Sequence, residues 1–455
     1  MSHSEAPNPL GDWLDSLDAD ELLDLVVLAM ERIPGLADWL DTQRVADDPD
    51  PAELVALVNR DLTPTRRFYE YRQANDYARD AYDTVELLCG IAAESATPDL
   101  LPVIERALTL TTRAILKSDD SSGMQGDLVR ALLDAHAEAA RSAEPALTQA
   151  EQTRLVTWIV KYRYGGQQDF FDPDVVAYAP ALSTKSIQRY REAIAAIDLG
   201  EYGSYPLTRL AVLDADRGAI VAANGGEPTN SALAERIVRD LEEAGLHDDA
   251  VAYARIGLAM DARGWDRKLI TFLVDDAFAR SAGDEAVGLR RDWFTRHPSS
   301  TSFADLRETA AKVGRWDAER PAAEERLASR DPEAFITYLL GDGRGDAAWD
   351  FAREHRAQVT RTDVWLNLCA DRAQTQPADT LPIYRALIAD TLIVTDVRNY
   401  KAAARMLKTM RGVAAAAGPA HVAEFDSFLA QTVEQNRRRP RCLDEFAKAK
   451  LIARR

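Results

Sequence analysis

A helix, a turn and a second helix recur between Thr229 and Ile393, and this repetition limits the possible folds more than any other feature of the chain. In the first unit, apolar residues at i, i+3, i+4 and i+7 precede Gly245, which can adopt the left-handed backbone that ends a helix. The acidic pair Asp248-Asp249 then suits the positive N-terminal end of a second helix. The pattern predicts a helical hairpin that is too small to bury its own apolar face.

The same arrangement returns four times with different side chains. The turns follow Gly245 at spacings of 38, 31, 31 and 32 residues, at Gly283, Gly314, Gly345 and Pro377. Periods near the low thirties, built from two helices, are typical of tetratricopeptide (TPR)-like solenoids. The sequence therefore predicts an α-solenoid of antiparallel helix pairs, which is a TPR-like or HEAT-like superhelix. An irregular helical bundle with similar hairpins is the alternative.

Composition favours an all-α protein in an aqueous compartment. Hydrophobic residues make up 46% and charged residues 28% of the chain, as in ordinary soluble proteins, and alternating apolar runs of strand type are nearly absent. The polar N-terminus lacks the apolar core of a signal peptide, and no apolar run approaches the ~18 residues of a membrane span. We therefore expect a cytoplasmic protein without membrane contact.

Four segments are predicted along the chain. They are an N-terminal helical segment (1–60), a helical domain rich in aromatic residues (61–222), the hairpin repeats (229–393), and C-terminal capping helices with a basic segment (394–455). The glycine-rich stretch Gly218–Pro228 is the clearest internal boundary. In the first segment, Asp18 and Glu21 form a capping box for a helix whose apolar face contains Leu22, Leu25, Val26 and Ala29.

Aromatic residues are concentrated in Pro64–Gly90 and suggest one candidate binding site. Tyr69, Tyr71 and Arg72 lie within four positions of one another, and tyrosine and arginine are favoured in binding surfaces. These residues are candidates for a ligand or peptide platform. The alternative is that the aromatic side chains pack successive helices together in the core.

A basic cluster near the C-terminus is the second candidate. Arg437, Arg438, Arg439 and Arg441 occupy four of five positions in a chain with 55 basic and 74 acidic residues and a net charge of −19. They could contact phosphates or an acidic partner, or they could neutralise a helix C-terminus and the protein's own acidic surface. Pro440 ends the preceding helix, and the residues after it predict a capping helix with Leu443, Phe446 and Leu451 facing inward.

Motifs for catalysis and metal binding are missing. The three cysteines, Cys89, Cys369 and Cys442, are far apart, and none of the six histidines is spaced to form a helical zinc motif. The acidic stretch 117–124 lacks the closing glutamate of a calcium loop and is interpreted as a capping turn. No phosphate loop or hydrolase nucleophile motif occurs. We expect no cofactor, no metal and no enzymatic activity, although an unrecognised site between the N-terminal helices stays an alternative.

Several segments resemble the helical region that accompanies SWIM zinc fingers in bacterial proteins. They span most of the chain: Leu17-Asp-Ala-Asp-Glu-Leu-Leu-Asp-Leu, Phe68-Tyr-Glu-Tyr-Arg, Ser118-Asp-Asp-Ser-Ser-Gly with Leu128 to His136, and Arg437-Arg-Arg-Pro-Arg-Cys-Leu. The resemblance implies a stand-alone, TPR-like helical array of bacterial, actinobacterial style. SWIM fingers carry a C-x-C…C-x-H ligand set, which three isolated cysteines cannot supply, so no zinc ligand carries over to this chain.

Two functional hypotheses follow. The first is a non-enzymatic α-solenoid scaffold that binds a protein or peptide partner through its concave surface. The second is a nucleic-acid-associated accessory protein that uses the C-terminal arginine cluster. The net charge of −19 repels nucleic acid and anionic membranes over most of the surface, and it therefore favours the first hypothesis.

Overall fold

The structure is a computed structural model that describes residues 9–33, 35–47, 49–199, 204–260 and 266–453. These residues contain 25 α-helices and no β-strand, so the all-α prediction is confirmed. The chain divides into two compact units, Met1–Ile256 and Gly257–Arg455. The four-segment organisation stays a prediction.

Fourteen helices begin in the first unit, and the last of them ends at Ala259. They are α1 (Pro9–Asp15), α2 (Ala19–Arg32), α3 (Leu36–Asp47), α4 (Pro51–Leu62), α5 (Tyr71–Glu94), α6 (Leu100–Ile115), α7 (Met124–Ser142), α8 (Gln149–Tyr164), α9 (Val175–Tyr178), α10 (Thr184–Ala195), α11 (Ser204–Leu213), α12 (Arg217–Ala223), α13 (Ser231–Glu243) and α14 (His247–Ala259).

Eleven helices belong to the second unit. They are α15 (Asp266–Ala279), α16 (Gly283–Arg296), α17 (Ser300–Lys312), α18 (Trp316–Arg330), α19 (Pro332–Gly341), α20 (Gly345–Glu354), α21 (Thr362–Arg372), α22 (Pro377–Thr391), α23 (Val397–Ala417), α24 (Pro419–Gln435) and α25 (Pro440–Lys448).

The core of the first unit is built on α5, α6 and α7. Alanines at Ala74, Ala78 and Ala81 of α5 are buried, and α7 buries further alanines at Ala135 and Ala139. Small side chains let two helices approach closely, and α5 and α7 pack against each other extensively. The aromatic-rich helix α5 is therefore the central element on which the neighbouring loops are placed.

The predicted capping box at the start of α2 is confirmed, and α8 begins with a second one. The Asp18 carboxylate accepts the backbone N–H of Glu21, and the Glu21 carboxylate accepts the N–H of Asp18. Thr148 and Glu151 form the same capping box at α8. These contacts satisfy N–H groups that have no partner inside the helix.

The turns of the predicted hairpins use glycine in two ways. Gly245 and Gly314 follow α13 and α17 with φ of +74° and +67°, the left-handed backbone expected there. Between α15 and α16 the left-handed residue is Ser281, and Gly283 instead begins α16. A Cβ at Gly283 would lie 2.6 Å from Cγ1 of Val313, so this glycine permits close contact with the end of α17 rather than the turn itself.

Helix packing is local in sequence throughout the described residues. The extensive contacts join helices that are one or two positions apart in the chain, such as α15 with α16 and α19 with α21. The predicted C-terminal helix is present as α25, and Leu443, Phe446 and Leu451 are buried. No helix in the described part of the chain is both long and apolar enough to cross a membrane.

Candidate functional site

Tyr69 fixes the loop between α4 and α5. Its side chain is only 3% exposed, and its hydroxyl accepts hydrogen bonds from the backbone N–H groups of Thr65 at 2.8 Å and Arg66 at 3.3 Å. Its backbone N–H donates to the carbonyl of Lys117 at 2.7 Å, and its carbonyl accepts the N–H of Asp119 at 2.9 Å. One buried residue thus holds its own loop and joins it to the segment that follows α6.

This arrangement presents a group of cations and rings to solvent. Phe68 is 53% and Tyr71 51% exposed, although the intervening loop residue Tyr69 is buried. The side chains around them are also exposed, and we call the whole set the arginine–aromatic surface: Arg66, Arg67, Phe68, Tyr71, Arg72 and Lys117.

The four cations of the arginine–aromatic surface have no carboxylate partner within the described part of the chain. In the described residues no Asp or Glu oxygen lies within 4.0 Å of their side-chain nitrogens, whereas arginines such as Arg60, Arg209 and Arg280 are paired with acids. The protein as a whole is strongly acidic, with a net charge of −19. Glu70 is the one exposed acid among residues 65–72, and the four cations outnumber it, so the surface is a local positive region open to an external anion.

The acids nearest to Lys117 in sequence have structural roles. The Asp120 carboxylate accepts the N–H groups of Gln125 and Gly126, both at 3.0 Å, at the start of α7. Asp119 accepts the N–H of Ser121 at 3.2 Å. The stretch 117–124 is therefore the capping turn that its sequence predicted, because its carboxylates bind backbone N–H groups of the turn and of the first turn of α7.

The sequence grouped Tyr69, Tyr71 and Arg72 as candidate binding residues, and the structure separates them. Tyr71 and Arg72 are exposed, whereas Tyr69 lies in the core and positions its neighbours. Arg66 and Arg67 were missed, although a pair of arginines beside an aromatic residue is itself a sequence signal. Lys117 had no such signal, because only the backbone pairing brings it to this loop. Ligand binding by any of these residues stays a prediction.

The C-terminal arginine cluster is divided between solvent and the protein. Arg437 pairs with Glu434 at 2.6 Å. Arg439 is half-buried and donates to the carbonyl of Leu392 at 2.7 Å, which lies at the C-terminal end of α22. Arg437 and Arg439 thus contact an acid and a helix end of the protein itself, as expected if the cluster has a structural role. The other two arginines, Arg438 and Arg441, remain exposed. Binding of an external ligand by the cluster stays a prediction.

A cavity of about 440 Å³ lies within the repeat region, between α20 and α22. Its wall contains an apolar part and a charged part, formed by Trp349, Arg353, Arg356, Ala378, Asp379, Pro382 and Ile383. The guanidinium of Arg372 lies 5.7 Å from the centre of the Trp349 ring and fixes one side of that ring. The second helices of two successive predicted hairpins thus enclose a partly polar groove.

A buried polar cluster in the first unit combines His136, Glu105 and Tyr178. The imidazole Nδ1 of His136 is hydrogen bonded to the Tyr178 hydroxyl at 2.9 Å, and its Nε2 lies 3.7 Å from a Glu105 oxygen. The ring of Trp158 covers the imidazole at a centroid distance of 4.2 Å. Burial lowers the pKa of His136, and Glu105 opposes this shift; burial also raises the pKa of Tyr178. The cluster joins α6, α7, α8 and α9, with His136 0% exposed.

No protein-family model matches this chain, and no curated protein is significantly similar to it. Within the ranges that the structure describes, no group of three or more His, Cys, Asp or Glu side chains is arranged to hold a metal ion. The fold and the surface together define an all-α protein of locally packed helices that presents uncompensated cations beside exposed aromatic rings.

Proposed function

We propose that this chain is a non-enzymatic helical scaffold that binds an acidic segment of a protein partner at the arginine–aromatic surface. The observation that carries the proposal is the set of four cations near Phe68 and Tyr71 that have no carboxylate partner among the described residues. Arginine and aromatic side chains dominate the binding energy of many protein interfaces. An acidic segment with apolar side chains would pair with the cations and cover the exposed rings at the same time.

The expected affinity is moderate. An exposed ion pair contributes about 0.2–1 kcal/mol, and burying an aromatic side chain contributes roughly 1.5–3 kcal/mol, before the cost of ordering the partner. A short segment that uses two or three of the cations and both rings would therefore bind with a Kd on the order of 10–1,000 μM. Long nucleic acids fit less well, because the net charge of −19 repels them beyond the surface itself.

The repeat region supplies the second part of the proposal. We infer that residues 229–393 form a TPR-like or HEAT-like solenoid whose concave surface holds the main body of the partner. The sequence-local helix packing and the groove beside Trp349 support this inference. It also agrees with the resemblance to the helical region of SWIM proteins. The alternative function, nucleic-acid association through the C-terminal cluster, is supported by the exposure of Arg438 and Arg441.

A matched pair of variants tests the proposal. Arg67→Glu/Arg72→Glu and Arg438→Glu/Arg441→Glu change the net charge equally at different places. Fluorescence anisotropy with a short labelled peptide of Asp, Glu and Leu should show at least about tenfold weaker binding for the first variant, which corresponds to about 1.4 kcal/mol. The second variant should bind like the wild-type protein.

Two results would overturn the proposal. If both variants weakened peptide binding equally, binding would depend only on the total charge of the protein and not on this surface. Absence of peptide binding to the wild-type protein at low salt would remove the site altogether. Tight binding of labelled single-stranded DNA that is lost only in Arg438→Glu/Arg441→Glu would establish the alternative function instead.

A further inference from the structure

Helix α2 exposes an apolar surface that nothing in the described chain covers. None of its side chains is buried, and Leu23 is 61% exposed. Six of its large apolar side chains are exposed: Leu22, Leu23, Val26, Val27, Leu28 and Met30. Continuous apolar patches of more than a few hundred Å² are uncommon on monomeric proteins and mark interaction sites.

Most polar residues of α2 are acidic, and acids lie beside its apolar face. Leu22, Val26 and Met30 follow at i, i+4 and i+8, which places them in one stripe. Leu23 and Val27 widen this stripe on one side. Asp20 and Asp24 come next around the helix, about 20° and 60° beyond Val27. The helix contains four acids and one base, so its apolar stripe is bordered by negative charge. A partner for α2 must therefore offer apolar contact and positive charge together.

We propose that α2 of one copy of this chain docks on the arginine–aromatic surface of a second copy. The proposal rests on the function proposed above and names the acidic segment that this surface binds. Phe68 and Tyr71 would cover the apolar stripe, while Arg66, Arg67, Arg72 and Lys117 would pair with acids such as Asp24. Each surface supplies what the other lacks, and both are present in every copy of the chain.

Charge decides between this contact and a symmetric one. Two antiparallel α2 helices packed face to face would place their acidic edges on the same side, and like charges at such a contact are unfavourable. The heterologous contact instead places opposite charges side by side. It also leaves one α2 and one arginine–aromatic surface free at the ends of every dimer. The assembly therefore either adds further copies as the protein concentration rises or closes into a ring.

Complementation between two full-length variants tests the inference. Leu23→Gln/Val26→Gln disables α2 without touching a buried side chain, and Arg67→Glu/Arg72→Glu disables the opposite surface. By sedimentation velocity, the average mass of the wild-type protein should rise with concentration and fall on addition of salt. Each variant alone should stay monomeric at concentrations at which the wild type associates. An equimolar mixture should form dimers and nothing larger, because only one intact pair of surfaces is available.

Several outcomes would overturn the inference. A mixture that stays monomeric, or wild-type protein that stays monomeric at every concentration, would exclude α2 as the occupant. Self-association of Arg67→Glu/Arg72→Glu alone would mean that α2 has a different binding surface. If the Asp, Glu and Leu peptide still binds in these cases, the function proposed above stands and only the identity of the acidic segment is wrong. The variant Arg438→Glu/Arg441→Glu is the matched control and should associate like the wild type.

Discussion

Replacing Tyr69 by Phe removes one hydroxyl and tests how the candidate site is held together. That hydroxyl accepts the N–H groups of Thr65 and Arg66 at 2.8 and 3.3 Å, and the ring stays buried against Tyr77. A typical hydrogen bond contributes about 0.5–1.5 kcal/mol, and the two N–H groups lie in an exposed loop where water can replace the lost acceptor. We therefore expect Tyr69→Phe to lower the free energy of unfolding by about 1–2 kcal/mol.

The same substitution should weaken peptide binding without changing any residue of the arginine–aromatic surface. Once the hydroxyl is gone, the segment that carries Arg66, Arg67 and Phe68 has more conformations to lose on binding, which costs affinity. A loss of about 1 kcal/mol corresponds to roughly a fivefold higher Kd. Urea unfolding followed by circular dichroism measures the first effect, with an unchanged m-value, and fluorescence anisotropy with the acidic peptide measures the second.

Tyr71→Phe is the matched control for Tyr69→Phe. It deletes the same atom two positions away, on a ring that is 51% exposed. Surface substitutions of this kind change stability by no more than about 0.5 kcal/mol. If the two variants have the same free energy of unfolding within that margin, Tyr69 does not hold the loop and the reasoning is wrong. If Tyr69→Phe is destabilised but binds the peptide normally, the loop does not need to be preorganised.

Two further predictions concern stability. Because burial lowers the pKa of His136 below its ordinary 6.5, the unfolded chain takes up the proton first. The free energy of unfolding measured by urea titration should therefore decrease as the pH falls through that value. His136→Gln should flatten this dependence. If the free energy of the variant fell as steeply with pH as that of the wild type, the prediction would be refuted. Gly283→Ala should destabilise by about 1–3 kcal/mol in thermal unfolding, because its Cβ would lie 2.6 Å from Val313. Gly288→Ala, in open space on the same helix, should stabilise the protein by about 0.5–1 kcal/mol. If Gly283→Ala changed stability by the same amount, the end of α17 would move aside at no cost and the prediction would be wrong.

Local features of the fold could be predicted from the sequence because their physical causes are local. The capping box of Asp18 and Glu21 needs residues only three positions apart, and the left-handed turn at Gly245 needs only a residue without a side chain. The period of apolar residues specifies helices for the same reason. Gly283 is the exception, because its small size matters for contact with Val313, the residue that follows α17.

The candidate site depended on information that is distant in sequence. Tyr69 and Tyr71 have the same side chain and are two positions apart, yet one is buried and the other exposed. Tyr69 has contacts that Tyr71 lacks: its backbone pairs with that of Ser118, in the segment after α6, and its ring packs against Tyr77. The same pairing brings Lys117 to the loop that carries Arg66 and Arg67. No periodic pattern within the loop records this contact.

The amino-acid sequence by itself determined that this protein is helical, where many of its helices begin and end, and that α2 has an apolar side. Only the tertiary structure decided which apolar and cationic residues remain available for binding. Leu22, Val26 and Met30 have the spacing of a core face, but they are exposed. The physical reason is that helical periodicity shows that a face is apolar, whereas burial depends on whether another part of the fold reaches it.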